Sequence, residues 1–266
     1  MLKATHLFKK QLFKTHALKS KDMSQRNMTR CALIRHGAYE QLKNVPSALQ
    51  PFPLTEEGKN EVRRQACQFG DWLNASGMKL DPNVDSSSLL RAWQTATIYM
   101  EELKDFFVST PTLTGYPELC ERSVGAVANL TIPEIERLLA LDPRFEVPAE
   151  NWKSDSYYKL PFDGAESLIE AGERVANHIL QWQSRVDHSE NTSESKLNES
   201  ELIKLFIGHG ASIRHAAFHI NVINFCDIKQ LSMYYGHPVV LEFANDQHPT
   251  KLFGDWKKRQ IQEVPD

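Results

Sequence analysis

Two histidines, each followed by a glycine, are the residues of this 266-residue chain whose type and setting best fit catalysis. His36 follows the apolar run 31–34 and Arg35, and His209 comes just after the apolar run 202–207. An apolar run that ends in a polar, glycine-containing loop is typical of a buried strand. Because ligands bind at the carboxyl ends of the strands in open α/β sheets, both imidazoles are predicted to meet in one crevice.

Two arginines give this crevice the character of an anion site. Arg35 precedes His36, and Arg91 begins a predicted helix after the serine turn 86–88. A guanidinium donates two hydrogen bonds to a phosphate at once. A neutral imidazole can attack phosphorus and split one displacement into two easier ones. The second imidazole and the arginines would stabilise the charge of the transition state. These residues predict phosphoryl transfer that requires no metal.

The ester oxygen that leaves in such a reaction needs a proton, because an alkoxide is a poor leaving group. A carboxylic acid has to supply this proton. Glu121, in a glycine-containing loop, is the candidate, although composition alone does not place it beside the histidines.

His215 and His219 suggest a different chemistry. They stand four residues apart on a predicted helix, which is the ligand spacing of zinc proteases. Ala216 occupies the place of the glutamate base in that motif, and no obvious third ligand follows. Packing or surface roles therefore fit the two histidines better, and the zinc alternative predicts that a chelator abolishes activity.

Composition describes an ordinary globular protein whose charge is unevenly distributed. The chain is 41% hydrophobic and 24% charged, with a net charge of −3. Residues 1–30 hold eight basic residues and one acid, so this head carries +7 and the rest of the chain −10. An acidic body argues against nucleic acid as a partner.

The chain contains no run of eighteen consecutive apolar residues, so the sequence predicts no membrane span. Four scattered cysteines fit a reducing, cytoplasmic compartment.

The chain is predicted to consist of a basic N-terminal extension, residues 1–29, and one α/β domain, residues 30–266, because strands and helices alternate. The extension is an added helix, a disordered segment, a misassigned start or a mitochondrial transit peptide, and the last would change the predicted compartment. Within the domain we predict a helix over 91–107, a cap insertion at about 126–163 and a polar surface loop over 186–200.

Six blocks of sequence between residues 31 and 214 resemble the histidine phosphatase superfamily, the phosphoglycerate mutase-like proteins, in the family's order. The blocks are Leu33-Ile34-Arg35-His36-Gly37; Pro53-Leu54-Thr55 with Gly58; the run from Ser87 to Ala96 around Arg91; Leu119 with Glu121-Arg122 and Gly125; Gly164 with Glu166-Ser167-Leu168 and an inserted Ala165; and Gly208-His209-Gly210 with Ile213-Arg214. Each block alone is a weak signal, but six blocks in the family's order make the match to this superfamily specific.

The resemblance implies a single-domain, three-layer α/β/α sandwich with a mostly parallel central sheet and no metal or cofactor. It implies a phosphohistidine at His36 and a proton donor at Glu121. The residues implied to hold the phosphate are Arg35, Arg91, His209 and Gly210, with His209 also catalytic. The candidates for substrate contact are Arg122, Tyr39 and Arg214.

Phosphatases and mutases share this core, and this sequence departs from the mutases. Mutases carry Ser, Trp and Asn shortly after the signature, where this chain has Tyr39, Gln41 and Leu42. Val124 replaces a tyrosine and Ala211 an asparagine. We therefore expect a phosphomonoesterase acting on a phosphorylated small molecule or a phosphoprotein. The alternatives are mutase-type phosphotransfer and a non-catalytic member that binds phosphorylated ligands or protein partners.

Overall fold

The computed structural model describes residues 28–189, 202–244 and 248–259. Of the predicted extension 1–29, residues 1–27 lie outside this description. The strands are β1 (Met28–Arg35), β2 (Lys79–Leu80), β3 (Asn83–Ser87), β4 (Thr112–Tyr116), β5 (Leu202–Gly208), β6 (Leu231–Ser232), β7 (Pro238–Ala244), β8 (Thr250–Phe253) and β9 (Lys257–Lys258). The helices are α1 (Glu56–Ser76), α2 (Leu90–Glu102), α3 (Ile132–Leu141), α4 (Leu168–Ser189) and α5 (Gly210–His219).

A mixed sheet of seven strands organises the described part of the chain. Six of them lie in the order β4-β3-β5-β1-β7-β8. The short strand β2 pairs with the first residues of β5, and β3 pairs with residues further along β5. Strands β4, β3, β5 and β1 run parallel to one another. Strand β7 pairs antiparallel with both β1 and β8. The two central strands, β1 and β5, read as the nearly continuous apolar runs expected of strands covered on both faces.

Helices cover both faces of the sheet. Ala32 and Ile34 of β1 belong to an apolar cluster that includes side chains of α1 and α2, whereas Cys31 and Leu33 belong to a second cluster with α4 and α5. Successive side chains of a strand point to opposite faces, so these clusters lie on opposite sides of the sheet. The predicted α/β fold with a mostly parallel central sheet between helical layers is confirmed.

Two predicted boundaries need correction. Helix α2 ends at Glu102 and not at 107, because Leu103 leaves helical geometry and Phe107 forms a parallel bridge to Leu80, where it joins the core. Helix α4 continues to Ser189, so it includes the first residues of the predicted loop 186–200. The remainder of that loop, residues 190–200, lies outside the described part of the chain.

The predicted cap insertion, residues 126–163 (the cap segment), contains α3 and contributes most of a third apolar cluster. Thr131 and Glu134 form a reciprocal capping box at the start of α3. Ile135, Leu139 and Trp152 lie in a cluster separate from the two that line the sheet. Ala48, Val124 and Ala165, which lie outside the cap segment, belong to the same cluster, so the cap segment packs against the 41–48 loop and the loop that carries Glu121. None of the described helices is long and apolar enough to cross a membrane.

Candidate active site

The ladder between β1 and β5 places His36 beside His209. Arg35 is in register with Gly208, and the backbone N–H of His36 donates to the Gly208 carbonyl at 3.0 Å. The two imidazole centroids lie 4.9 Å apart. The structure thus brings together the two strand ends at which the sequence predicts a site.

Hydrogen bonds define which nitrogen of His36 carries the proton and which the lone pair. Its Nδ1 lies 2.7 Å from the carbonyl oxygen of Gly37, and Nε of Arg91 donates to its Nε2 at 3.3 Å. A carbonyl can only accept, so the proton resides on Nδ1 and the lone pair on Nε2. Burial, together with the positive charges of Arg91 and Arg35, holds the pKa of His36 well below its usual value. The ring is therefore neutral, as a nucleophile must be.

Arg91 is fully buried and held by backbone oxygens. Its terminal nitrogens donate to the carbonyls of Gln50, Ser47 and Ala48 at 2.7 to 3.2 Å. Its guanidinium carbon lies 4.5 Å from the ring centroid of Tyr39, which also meets His36 edge-on. Tyr39, a predicted substrate contact, is thus a buried support for these two groups.

Arg35 is held between a backbone carbonyl, an aromatic ring and a glycine. Its Nη1 donates to the carbonyl of Met233 at 3.0 Å, and its guanidinium carbon lies 4.2 Å from the Tyr235 ring centroid. A Cβ at Gly210 would lie only 3.0 Å from Nε of Arg35. The glycine at this position therefore allows the arginine to lie against the N-terminus of α5.

His209 is the residue that precedes α5, and it is wholly buried. Its Nε2 lies 2.8 Å from the hydroxyl of Ser87. Its Nδ1 has no hydrogen-bond partner among the described residues. Burial, followed by the charge of Arg91 and the neighbouring His36, holds the pKa of His209 well below its usual value. An unsatisfied buried polar atom costs about 1–3 kcal/mol, so Nδ1 is a place where a ligand oxygen would be stabilising.

Glu121 lies at the N-terminus of the same helix. Its carboxylate accepts hydrogen bonds from the backbone N–H groups of Arg122, Ser212 and Ala211 at 2.9 to 3.3 Å. Negative charge is favoured at a helix N-terminus. The structure therefore gathers Glu121, Gly210 and His209 at one helix end, which the sequence alone does not establish for Glu121.

The loop that carries Glu121 is clamped by Arg174 of α4. This arginine donates to the carbonyls of Glu118 and Cys120 at 2.7 and 3.2 Å. It also forms a bidentate ion pair with Glu166, whose carboxylate accepts from the backbone N–H of Ser123. Both flanks of Glu121 are thus fixed by one charged pair.

A pocket of about 470 Å³ lies between the loop 41–48 and the cap segment. Glu121 and Ala211 line it and connect it to the N-terminus of α5. Arg122, a predicted substrate contact, also lines it; this residue is only 9% exposed, and its guanidinium has no acceptor within bonding distance among the described residues. Arg214, the third predicted contact, donates to the Leu231 carbonyl and lines a smaller, adjoining cavity.

His215 and His219 are both bonded to neighbouring protein groups. His215 bonds through Nδ1 to the Ala211 carbonyl and through Nε2 to the hydroxyl of Ser156. Nε2 of His219 bonds to the Ile169 carbonyl. The two imidazoles thus tie α5 to the cap segment and to α4. Over residues 28–189, 202–244 and 248–259, no group of three or more potential metal ligands is found.

Sequence reasoning missed several residues that shape the site. Ser87 could have been found, because it is the last residue of a strand parallel to β5 and so ends beside His209. Tyr235 and Arg174 carry no such signal, since each reaches the site only through tertiary packing.

Comparison with known proteins identifies the family. The profile of the histidine phosphatase superfamily (branch 1) matches residues 31–256. The chain therefore belongs to this superfamily, which confirms the resemblance seen in its six sequence blocks. The superfamily includes phosphatases and mutases, so phosphoryl transfer is the chemistry that this membership supports.

Some of the similar proteins are named as mutases and others as phosphatases. A phosphoglycerate mutase of Candida albicans is 26% identical over 240 residues, which cover 84% of this chain and 90% of the relative. Among solved structures, a phosphoglycerate mutase of Bacillus anthracis (15% identity) aligns over 85% of this chain and 92% of its own, with a TM-score of 0.62. A mycobacterial glucosyl-3-phosphoglycerate phosphatase (18% identity) aligns over 81% of this chain and 90% of its own, with a TM-score of 0.58. These two structural likenesses show the fold alone.

Proposed function

We propose that this protein is a phosphomonoesterase that forms a covalent phosphohistidine on His36. The observation that supports this most directly is the arrangement around its Nε2: a neutral imidazole presents a lone pair beside Arg91 and Arg35. Neutral imidazole is the nucleophilic form, and the two guanidinium groups supply the charge that holds a phosphate in line. The attacking group and the positive charges beside it are therefore both supplied by side chains of this chain.

In the first step Nε2 of His36 attacks phosphorus, and the bond between phosphorus and the ester oxygen breaks. Glu121 in its acid form gives its proton to that oxygen, which leaves as an alcohol. In the second step a water molecule attacks the phosphohistidine, and its proton passes to the Glu121 carboxylate. The bond between phosphorus and nitrogen breaks, so inorganic phosphate leaves and both side chains return to their initial forms.

The phosphoryl oxygens would be held by groups around the two rings. Nδ1 of His209 has no partner among the described residues and is buried, so a phosphate oxygen would satisfy it. Helix α5, which begins at Gly210, adds the positive end of its dipole. Arg35 and Arg91 would neutralise the two charges of a phosphate dianion. We assign these four residues to phosphate binding.

Mutase-type transfer is the second candidate. In that reaction a hydroxyl group replaces water as the acceptor of the phosphoryl group. Two features favour it: a curated relative bears the name phosphoglycerate mutase, and Arg122 presents a guanidinium to the pocket, where it would contact an anionic substrate. The replacements at Val124 and Ala211 favour hydrolysis. A phosphorylated small molecule suits the size of the pocket, and a phosphoprotein is the alternative substrate.

The test of the nucleophile is His36→Ala, with His219→Ala as the matched control. His219 is a partly exposed histidine outside the proposed site. We expect His36→Ala to lower kcat at least about 1,000-fold on a panel of phosphate monoesters. Label from a ³²P-ester should be trapped on the unmodified protein and on His219→Ala, but not on His36→Ala. Full hydrolysis by folded His36→Ala would overturn the phosphohistidine mechanism. Transfer of label to a hydroxyl acceptor without release of phosphate would favour the mutase.

A further inference from the structure

A chain of hydrogen bonds joins the imidazole of His209 to the thiol of Cys120 through the hydroxyl of Ser87. Nε2 of His209 lies 2.8 Å from the Ser87 hydroxyl, and this hydroxyl donates to Sγ of Cys120 at 3.2 Å. The Ser87 oxygen also accepts from the backbone N–H of Leu89 at 3.3 Å. Ser87 and His209 are both wholly buried, so these bonds are shielded from bulk water.

The direction of these bonds determines which nitrogen of His209 carries a proton. A hydroxyl has one proton to donate and two lone pairs that accept. Because Ser87 donates its proton to Cys120, its oxygen can only accept from His209, so Nε2 of the imidazole is the protonated nitrogen. A neutral imidazole has one protonated nitrogen, and Nδ1 therefore bears a lone pair. Among the described residues, no group donates a hydrogen bond to this buried lone pair.

The charged groups around His209 are cations. Burial and the positive charge of Arg91 lower the pKa of this ring most, and His36, Arg35 and Arg174 add to the effect. These surroundings disfavour a second proton on the ring, and the two negative charges of a phosphate dianion would offset them. With Nε2 of His36 also bearing a lone pair, a dianion between the two rings would face a lone pair on each side.

We propose that Cys120, acting through Ser87, is a positioning residue that makes the binding of phosphate depend on a proton. Nδ1 of His209 and an oxygen of a dianion are both acceptors, so they attract each other only with a proton between them. An ester monoanion brings this proton on its own oxygen, and an ester dianion binds together with one from solvent. The proton leaves with inorganic phosphate when the product dissociates. This inference rests on the proposed function, since it takes the reacting phosphate to lie between the two imidazoles.

Calorimetry of inorganic phosphate binding at alkaline pH, in buffers of different ionisation enthalpy, counts the protons taken up. Cys120→Ala leaves the Ser87 proton free to bond to Nε2, so Nδ1 of His209 can carry the ring proton and donate it to a dianion. We expect this variant to take up about one proton fewer per phosphate than the unmodified protein. The decline of its affinity with rising pH should be less steep by about 10-fold per pH unit. At the highest pH the variant should bind phosphate more tightly than the unmodified protein, a gain that lost packing would not give.

Three further variants are matched controls that should keep the proton count of the unmodified protein. Cys120→Ser retains an acceptor for Ser87, Ser88→Ala removes only the other hydroxyl that contacts Sγ, and Cys226→Ala removes an exposed thiol.

¹⁵N NMR of the imidazoles reads the protonated nitrogen of His209 directly in the free protein. We expect Nε2–H in the unmodified protein and a shift toward Nδ1–H in Cys120→Ala. An Nδ1–H ring in the unmodified protein, or the same proton count and the same protonated nitrogen in folded Cys120→Ala, would overturn the role of Cys120. Failure to trap label on His36 would instead overturn the proposed function, and the NMR result would still test Cys120.

Discussion

The imidazole of His36 is kept neutral and correctly protonated by its immediate neighbours. The Gly37 carbonyl fixes the proton on Nδ1, and burial beside Arg91 and Arg35 disfavours a second proton. The same arginines that would bind the phosphate therefore also keep the proposed nucleophile neutral. The position of the proton on Nδ1 and the lowered pKa of His36 thus both arise from groups in its immediate surroundings.

Ser87→Ala tests the support of the second imidazole. The hydroxyl of Ser87 lies 2.8 Å from Nε2 of His209, so its loss frees that ring to rotate away from the phosphate. A neutral hydrogen bond contributes about 1 kcal/mol. We therefore expect kcat to fall roughly 5- to 10-fold in steady-state assays, with a smaller change in KM.

Ser88→Ala is the control for this change. Its hydroxyl bonds to Sγ of Cys120, as that of Ser87 also does, but it does not contact His209. Equal losses of kcat in the two variants would point to the Cys120 contact and contradict the role of Ser87 in orienting the imidazole.

Among the elements, the loop that carries Glu121 is held by a distant anchor. Arg174 of α4 holds the carbonyls on one side of Glu121 and, through Glu166, the backbone on the other side. Arg174→Met should therefore displace the proton donor without touching the nucleophile. A proton donor matters most when the leaving alcohol is a weak acid. We expect kcat to fall at least about 10-fold for alkyl esters and much less for p-nitrophenyl phosphate.

Arg185→Met, an exposed arginine on the same helix, is the matched control. It should reduce neither rate. A loss in Arg174→Met that is the same for both classes of ester would show general distortion of the site, and it would remove the argument that this clamp positions Glu121.

The sequence predicted the elements whose signals are local. Strands β1 and β5 are apolar runs that end in glycine-containing loops, so the positions of His36 and His209 were readable from their flanking residues. Strand β4 was missed because its half-exposed residues carry no apolar run and it forms by pairing with β3. The end of α2 was misplaced because Phe107 packs with Leu80, a contact that helical periodicity does not reveal.

The residues of the site are also of two kinds, those that the sequence reveals and those that it does not. Arg35, Arg91 and Glu121 lie in blocks that the sequence makes visible. Tyr235 and Lys153 lie in parts of the chain that no block covers, and tertiary folding alone brings Tyr235 against Arg35 and Lys153 into the lining of the pocket. Spacing along the sequence contains no information on such contacts, so these residues could not be predicted.

For the whole molecule, buried neutral histidines predict a loss of stability in acid. His36, His209 and His215 all have a lower pKa when folded than the 6.5 of a free histidine. The unfolded chain therefore binds more protons, so their contribution is complete above about pH 6.5 and declines as pH falls toward the folded pKa values. Each histidine removes up to about 1.4 kcal/mol per pH unit in that range.

Urea unfolding at several pH values measures this decline. Because the folded pKa of His215 is about 3, it is neutral when folded between pH 6 and 5, where the unfolded chain takes up a proton. His215→Gln should therefore reduce the change in unfolding free energy between those two pH values by about 1 kcal/mol. The same pH dependence in the variant and the unmodified protein would contradict the assignment of His215 as a buried neutral ring.

The backbone hydrogen bond from His36 to Gly208 has a consequence for how this protein can diverge. It makes the distance between the two imidazoles a property of the strand ladder, whereas the pocket that we propose receives the alcohol is lined mainly by the 41–48 loop and the cap segment. Insertions or exchanges in those two segments can alter the accepted ester while the reacting centre keeps its dimensions. New specificities should thus be reachable by grafting a cap segment from another family member, with no change to the strands.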